Sequence, residues 1–154
     1  MNRKKSLTIQ GVFVKELVRH CDQRGFFSEI VQISDKIFRS NFAQLSHSMA
    51  KKGVLKAWHL HHKQTDWMYV ATGDIKLGLF DMRKTSNTYG NLMEVFLGDT
   101  YGYKIVKVPP GVAHGYKVSK GPMHIIYLMD KEYDPLDIVK FPSNDARFNY
   151  NWNS

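Results

Sequence analysis

Short runs of β-branched and aromatic residues recur along the whole chain, and turn residues such as Gly73-Asp74, Gly98-Asp99 and Pro109-Pro110-Gly111 separate them. Helix signals are scarce, and only residues 35–41 have the pattern of a short helix. Strands that do not alternate with helices exclude a doubly wound sheet. The sequence therefore predicts an all-β protein and leaves open a jelly roll, an immunoglobulin-like sandwich and an up-and-down barrel.

The predicted strands cover residues 12–18, 26–33, 43–48, 54–60, 67–71, 75–82, 92–97, 104–108, 115–118 and 124–129. The polar tail, residues 145–154, alternates Phe148, Tyr150 and Trp152 and is expected to pack as a final edge strand. A chain of 154 residues fits one domain, so residues 1–154 are expected to form a single unit.

The composition of the chain is that of a globular protein. Hydrophobic residues make up 43% and charged residues 23%, and no apolar run approaches the length of a membrane-spanning helix. The basic start, Met1 to Lys5, is not followed by the apolar stretch of a secretory signal. Cys21 is the only cysteine, which agrees with a reducing compartment. We therefore expect a cytoplasmic protein without a membrane partner.

The formal net charge of +8 is compatible with nucleic acid or with small anionic ligands. Lysine and arginine are spread over the chain, and there is no zinc finger, glycine-rich phosphate loop or basic amphipathic helix. We expect no nucleic-acid partner.

The densest group of candidate functional side chains lies in residues 58–66. In a strand, His59 and His61 point to the same face, whereas Leu60 and His62 point to the other. Imidazoles on an inward face need partners, so this spacing indicates a pocket, a metal site or a polar network. His114 follows a proline-rich turn that would deliver it into the same cavity.

Two segments, residues 53–59 and 110–116, resemble the dTDP-4-dehydrorhamnose 3,5-epimerases, which are jelly-roll cupins. Residues 22–29, 42–44 and 81–90 are similar to further segments of that family, as are the positions of Tyr127 and of Tyr133-Asp134-Pro135. The resemblance spans about residues 9–152. It implies a cupin-type double-stranded β-helix.

The resemblance also implies an activity, because members of the family epimerise nucleotide-linked 4-keto-6-deoxy sugars at C3, C5 or both, through an enolate. His59 matches the family's base, and an imidazole can accept and return a proton near neutral pH. Tyr127 matches the acid that reprotonates the opposite face. This interpretation carries no cofactor and no metal ligand.

Other residues matter for the substrate. The resemblance assigns Arg24 and Glu29 to the nucleotide diphosphate sugar and Gln44 and Tyr133 to the nucleotide. Lys56 and His114 are candidate donors to the enolate oxygen. A homodimer with exchanged N-terminal strands, and a role in polysaccharide synthesis such as that of O-antigen, are expected from the same family.

The chain departs from the family's pattern near the expected base. Asp66 stands where a lysine is usual, and Lys56 stands where an arginine is usual. The aspartate usual beyond the tryptophan matched by Trp152 has no counterpart in Asn153-Ser154, so Asp66 is a candidate to orient His59 instead.

Because of these departures, three alternatives to the epimerase interpretation stay open. His59, His61, Asp66 and His114 match the metal-binding cupin pattern, which would suit zinc, iron, nickel or manganese. The His59-Leu60-His61 triplet also resembles the nucleotide-sugar 3,4-ketoisomerases. A sugar-nucleotide binding module without catalysis is the third.

Overall fold

The computed structural model describes residues 8–38 and 41–154, and in these residues it contains strands and turns but no helix. The strands are β1 (Phe13–Glu16), β2 (His20–Asp22), β3 (Gly25–Phe27), β4 (Gln44–Ala50), β5 (Leu55–His61), β6 (Asp66–Asp81), β7 (Leu92–Gly98), β8 (Lys104–Val108), β9 (Val112–Met129) and β10 (Ile138–Lys140). In the described part of the chain, no helix is long and apolar enough to cross a membrane.

The two long strands, β6 and β9, form a central antiparallel ladder that runs from the pair Asp66–Met129 to the pair Asp81–Val112. The strands that pair with β6 and β9 differ between the two halves of this ladder. The first half of β6 pairs with β8 and the second half with β7. The first half of β9 pairs with β5 and the second half with β4.

This ladder is folded back on itself. Asp66 pairs with Met129 and His114 pairs with Leu79, yet Asp66 Oδ2 lies 3.4 Å from His114 Nε2. In a flat ladder these two residue pairs would be roughly 40 Å apart, because a strand rises about 3.3 Å per residue. Register shifts between Val70 and Ile75 mark the bend, because bulges bend and twist a strand.

Folding back produces two facing layers. The first layer contains β1, β8, the first half of β6, the second half of β9, and β4. The second layer contains β7, the second half of β6, the first half of β9, β5 and β10. This architecture is the predicted jelly roll, in which two sheets of one continuous chain enclose a core.

Alternating side chains fill the space between the layers and cover the outside of the second one. Leu77 and Leu79 belong to the main core with residues such as Met68 and Ile125. Phe80, one residue on, belongs to a separate cluster. That outer cluster also contains Trp58, Leu60, Phe148 and Trp152.

Several sequence expectations need correction. The predicted strands 67–71 and 75–82 are one strand, as are 115–118 and 124–129, because the chain continues its pairing through the intervening turn signals. The described part of 35–41 contains turns, not a helix, and Arg39 and Ser40 lie outside the described residues. The tail forms no strand, because Phe148 and Trp152 pack on the outer cluster. The edge strand is β10 instead.

Candidate active site

A cavity of about 220 Å³ opens between the two layers and contains most of the residues singled out from the sequence. Its walls alternate along each strand, as expected for side chains that face one side of a sheet. The lining residues are Gln44 and Ser46 on β4, Lys56, His59 and His61 on β5, Asp66 and Met68 on β6, His114, Gly115, Tyr116, Tyr127 and Met129 on β9, and Gln64, Tyr133 and Ile138 nearby.

One pair of lining residues breaks the alternation. Lys56 and His59 are three positions apart on β5 and should face opposite sides, yet both line the cavity. The register of β5 against β9 shifts between these two residues. A bulge of this kind lets one strand turn an extra side chain toward the same face. The shift therefore brings Lys56 into the lining of the same cavity as His59.

His59 belongs to the second layer, where it pairs with His114 on one side and Lys140 on the other. Burial lowers the pKa of His59 to about 4, and the charges of His114, Lys140 and His61 act in the same direction, while Asp66 opposes them. The imidazole is therefore neutral near pH 7 and has a free lone pair. Among residues 8–38 and 41–154, no side chain makes a hydrogen bond or ion pair with it.

Tyr127 belongs to the first layer, where it pairs with Ser46 and Met68. Burial raises the pKa of Tyr127, and neighbouring Tyr116 and the charge of Asp66 raise it further. The phenol therefore keeps its proton at neutral pH. Since the layers face each other, His59 and Tyr127 enter the cavity from opposite walls.

Asp66 does not contact His59, the residue that it was expected to orient. Its Oδ2 lies 3.7 Å from His61 Nε2 and 3.4 Å from His114 Nε2. Its Oδ1 accepts a hydrogen bond of 2.6 Å from Gln64 Nε2. Burial acts to raise the pKa of Asp66, but hydrogen bonding and positive charge from His114, with His61 and Gln64, lower it overall.

Gln44 and Tyr133 lie together at the rim of the cavity. The backbone amide of Tyr133 donates to Gln44 Oε1 at 2.8 Å, and Gln44 Nε2 donates to Ser46 Oγ at 2.9 Å. Tyr133 is 64% exposed. Its ring is therefore accessible, and its contact with a nucleotide stays a prediction.

Arg24 and Glu29 do not line this cavity in the single chain. Arg24 follows β2 in the β2–β3 hairpin and its Nε donates to Asp22 Oδ2 at 3.1 Å. Glu29 Oε2 lies 3.5 Å from His20 Nε2. Their assignment to the substrate stays a prediction that depends on a second copy of the chain.

Sequence reasoning missed Tyr116, Gln64 and Asp137. Tyr116 is 3% exposed and lies beside Tyr127, whose pKa it raises. Tyr116 could have been predicted from the sequence, because residues two apart in a strand face the same side and Tyr116 is two residues after His114. Asp137 accepts hydrogen bonds from the backbone amides of residues 62–64, a long-range contact with no local signal.

The jelly roll is the fold of the solved dTDP-sugar isomerases. The family model described as dTDP-4-dehydrorhamnose 3,5-epimerase matches residues 6–154. The chain belongs to this family, whose members are isomerases.

Individual relatives agree with the family. The spore coat polysaccharide biosynthesis protein SpsL of Bacillus subtilis is 38% identical, over 95% of this chain and 97% of its own length. The dTDP-4-dehydrorhamnose 3,5-epimerase of Methanothermobacter thermautotrophicus is 28% identical, over 94% of this chain and 80% of its own. The crystal structure of RmlC from Legionella pneumophila, in complex with dTDP-4-keto-L-rhamnose, has a TM-score of 0.85 at 25% identity, covering 96% of this chain and 81% of that one.

Proposed function

We propose that this protein epimerises a dTDP-linked 4-keto-6-deoxy sugar at C3, C5 or both, with His59 as the base and Tyr127 as the acid. The observation that carries this proposal is that His59 and Tyr127 line one cavity from opposite layers of the jelly roll. Inverting a carbon requires removal of a proton from one face and its return to the other, and this arrangement provides a group for each face.

The chemistry starts from the acidity of a carbon beside a ketone. His59 removes the proton from this carbon, and the electron pair moves to the ketone oxygen as an enolate forms. Tyr127 then donates its phenolic proton to the opposite face of the same carbon. Solvent exchange returns both side chains to their starting protonation states. Repetition at the other carbon beside the ketone would invert both centres.

The enolate oxygen needs donors placed where its negative charge develops. Lys56, His114 and the hydroxyl of Tyr116 all line the cavity. Lys56 supplies a flexible point charge, since an ammonium group lacks the planar fork of the arginine usual in the family. We assign substrate binding to Lys56 and His114 and add Tyr116 as a neutral donor.

The nucleotide is proposed to lie at the rim, where Gln44 and the exposed ring of Tyr133 are adjacent. The bound ligand of the Legionella enzyme supports a dTDP sugar. We further propose that Arg24 and Glu29 reach the site of a second subunit in a homodimer, since neither approaches the cavity of its own chain.

The name of the Bacillus relative supports a role in the synthesis of a surface polysaccharide. We propose a cytoplasmic location, which agrees with the exposed, unpaired Cys21.

Incubation with dTDP-4-keto-6-deoxyglucose in heavy water tests the reaction. We expect deuterium at C3, C5 or both, with inversion at the labelled carbon, measured by NMR. Transfer of the keto group from C4 to C3 would support a 3,4-ketoisomerase instead. Tight binding of dTDP with no exchange at either carbon would indicate a binding module and contradict the proposal.

A further inference from the structure

Three side chains with metal-binding atoms converge at the inner end of the cavity, apart from the pair assigned to proton transfer. They are His61 and His114 from the second layer and Asp66 from the first, and their ligand atoms all lie within 4.8 Å of one another. Their side chains are 11%, 8% and 4% exposed, respectively. This cluster therefore joins the two layers in a largely dry environment.

Two of the three separations between these atoms approach those around a four-coordinate ion, and the third is at most 4.8 Å. Zinc binds histidine nitrogen and carboxylate oxygen at about 2.0–2.1 Å, which places neighbouring tetrahedral ligands about 3.3–3.4 Å apart. Asp66 Oδ2 lies 3.4 Å from His114 Nε2 and 3.7 Å from His61 Nε2. Small movements of the two rings would complete the geometry. Two imidazoles and one carboxylate also form a common catalytic zinc set, in which the fourth position is open.

Two of the three side chains have a hydrogen-bonded outer partner of the kind that metal ligands use, and the third, His61, has a carboxylate nearby. His114 Nδ1 lies 3.2 Å from the carbonyl oxygen of Val112, which leaves Nε2 toward Asp66. His61 Nδ1 lies 3.4 Å from Asp137 Oδ2 but makes no hydrogen bond in the described part of the chain, and Gln64 donates to the other oxygen of Asp66. Such partners fix the tautomer and orientation of ligating histidines.

Charge favours a cation at this position. Asp66 and Asp137 are buried carboxylates on either side of His61, with side chains 4% and 6% exposed. Buried carboxylates are costly unless they are paired or bind a metal. The backbone amides of residues 62–64 stabilise Asp137, whereas Asp66 has, among the residues that the structure describes, only Gln64 and the two imidazoles.

We propose that His61, Asp66 and His114 bind one zinc-like divalent cation, and that His59 is not a ligand. His59 is left out because its ring makes only an edge contact with His114, at 6.4 Å between centroids, and it does not belong to the convergent set. This site goes beyond the proposed reaction and stands without it; with the cation bound, His114 would be a ligand, and the cation would take its place at the enolate oxygen. A divalent cation here would supply a Lewis acid at the position where the family's lysine is replaced by Asp66.

The test uses the full chain without any sugar. Protein stripped by a chelator is titrated with Zn²⁺ and, separately, with Co²⁺, whose visible spectrum reports coordination number. We expect close to one equivalent bound per chain, intense four- or five-coordinate Co²⁺ bands, and a rise in the melting temperature with Zn²⁺. Elemental analysis of the protein as purified gives the occupancy before stripping.

Variants separate the ligand set from its surroundings. Asp66→Asn and His61→Ala should each weaken Zn²⁺ binding at least 100-fold and abolish the Co²⁺ bands. His62→Ala is the matched control, because His62 is the exposed neighbour of His61, and it should bind as the parent does. His59→Ala should keep affinity within about threefold. Because both metal readouts require a folded site, the melting curve of each stripped variant is compared with that of the stripped parent.

Three outcomes would overturn the proposal. The first is that the stripped parent, once titrated, binds less than 0.1 equivalent of either metal. The second is that Asp66→Asn binds Zn²⁺ as tightly as the parent does. The third is that His59→Ala loses as much Zn²⁺ affinity as His61→Ala. None of them bears on deuterium exchange into the sugar. Failure of the metal site is therefore distinguishable from failure of the proposed reaction.

Discussion

Asp66 Oδ2 lies 3.4 Å from His114 Nε2 although the two residues belong to opposite halves of the β6–β9 ladder. The contact exists because the ladder folds back, and the same fold-back places Tyr127 across the cavity from His59. One bend in the sheet therefore creates both the pair assigned to proton transfer and the three-residue cluster beside it.

Replacing the proposed base should stop proton abstraction. His59→Ala is expected to lower deuterium exchange at C3 and C5 by about 10²–10⁴-fold, the range typical for loss of a general base. The affinity for dTDP, measured by calorimetry, should change less than about threefold, because the nucleotide is assigned to the rim. The exposed His62→Ala serves as the control. Exchange at the parental rate in His59→Ala would end the base assignment.

Removing the Tyr127 hydroxyl should separate exchange from inversion. Tyr127→Phe keeps the ring that packs against the core but deletes the proton donor. We expect deuterium to enter the first carbon through His59, while formation of the inverted sugar falls at least about 100-fold. NMR of the recovered substrate and product checks both steps. Inversion rates that match those of the parent would refute the acid role.

Gly115 allows β5 and β9 to approach closely beside the bulge that carries Lys56 and His59. A Cβ at Gly115 would lie 2.7 Å from Ala57 Cα and 2.9 Å from the carbonyl oxygen of Lys56, and backbone atoms cannot move aside cheaply. Gly115→Ala should therefore cost about 1–3 kcal/mol in the free energy of unfolding.

The same displacement of β5 should lower kcat at least about tenfold, since small misplacements of reacting groups are costly. Urea unfolding and steady-state kinetics measure the two effects. Ser119→Ala, at an exposed position on the same strand whose hydroxyl donates to the carbonyl oxygen of Asp74, should cost no more than about 1 kcal/mol and leave kcat unchanged. Full activity in Gly115→Ala would mean that the close approach does not position the site.

Asp81 links stability to acid pH. Burial acts to raise its pKa, but hydrogen bonds from Arg83, Ser86 and Thr88 lower it to about 2. A depressed carboxyl pKa stabilises the folded state above the unfolded value of about 3.9, and this contribution is lost as the pH falls toward 2. Asp81→Asn should therefore cost about 1–2 kcal/mol at pH 7 and progressively less below pH 4.

Urea unfolding of parent and variant between pH 7 and pH 2 provides the measurement. Asp22→Asn is the contrasting control, because Asp22 pairs with Arg24 at an exposed site, and such pairs contribute little. A difference between Asp81→Asn and the parent that stays constant down to pH 2 would contradict the titration of Asp81.

Subunit complementation tests whether Arg24 acts across a dimer. When Arg24→Ala and His59→Ala chains are co-expressed, each mixed dimer would contain one site with both native residues. Random pairing should then restore about a quarter of the parental activity, although each variant alone is nearly inactive. Activity that stays at the level of the two separate variants would show that Arg24 does not serve a partner's site.

The alternation of side chains along the sequence predicted which histidines line the cavity. The spacing of His59 and His61 placed both on one face, and the structure puts both in the cavity while Leu60 joins the outer cluster. Family resemblance located Tyr127, Gln44 and Tyr133, which line the same cavity. The sequence did not predict the bulge in β5, because the hydrophobic pattern of this strand is compatible with Lys56 facing either side of the sheet.

The sequence by itself determined an all-β fold, an inward row of histidines and membership of an epimerase family, because side-chain alternation and motif spacing are local properties of the chain. Only the tertiary structure decided what those histidines face. Asp66 reaches His61 and His114, not His59, because β6 folds back through the bend between Val70 and Ile75. Strand pairing over long separations sets that contact, and no periodicity within one strand encodes it.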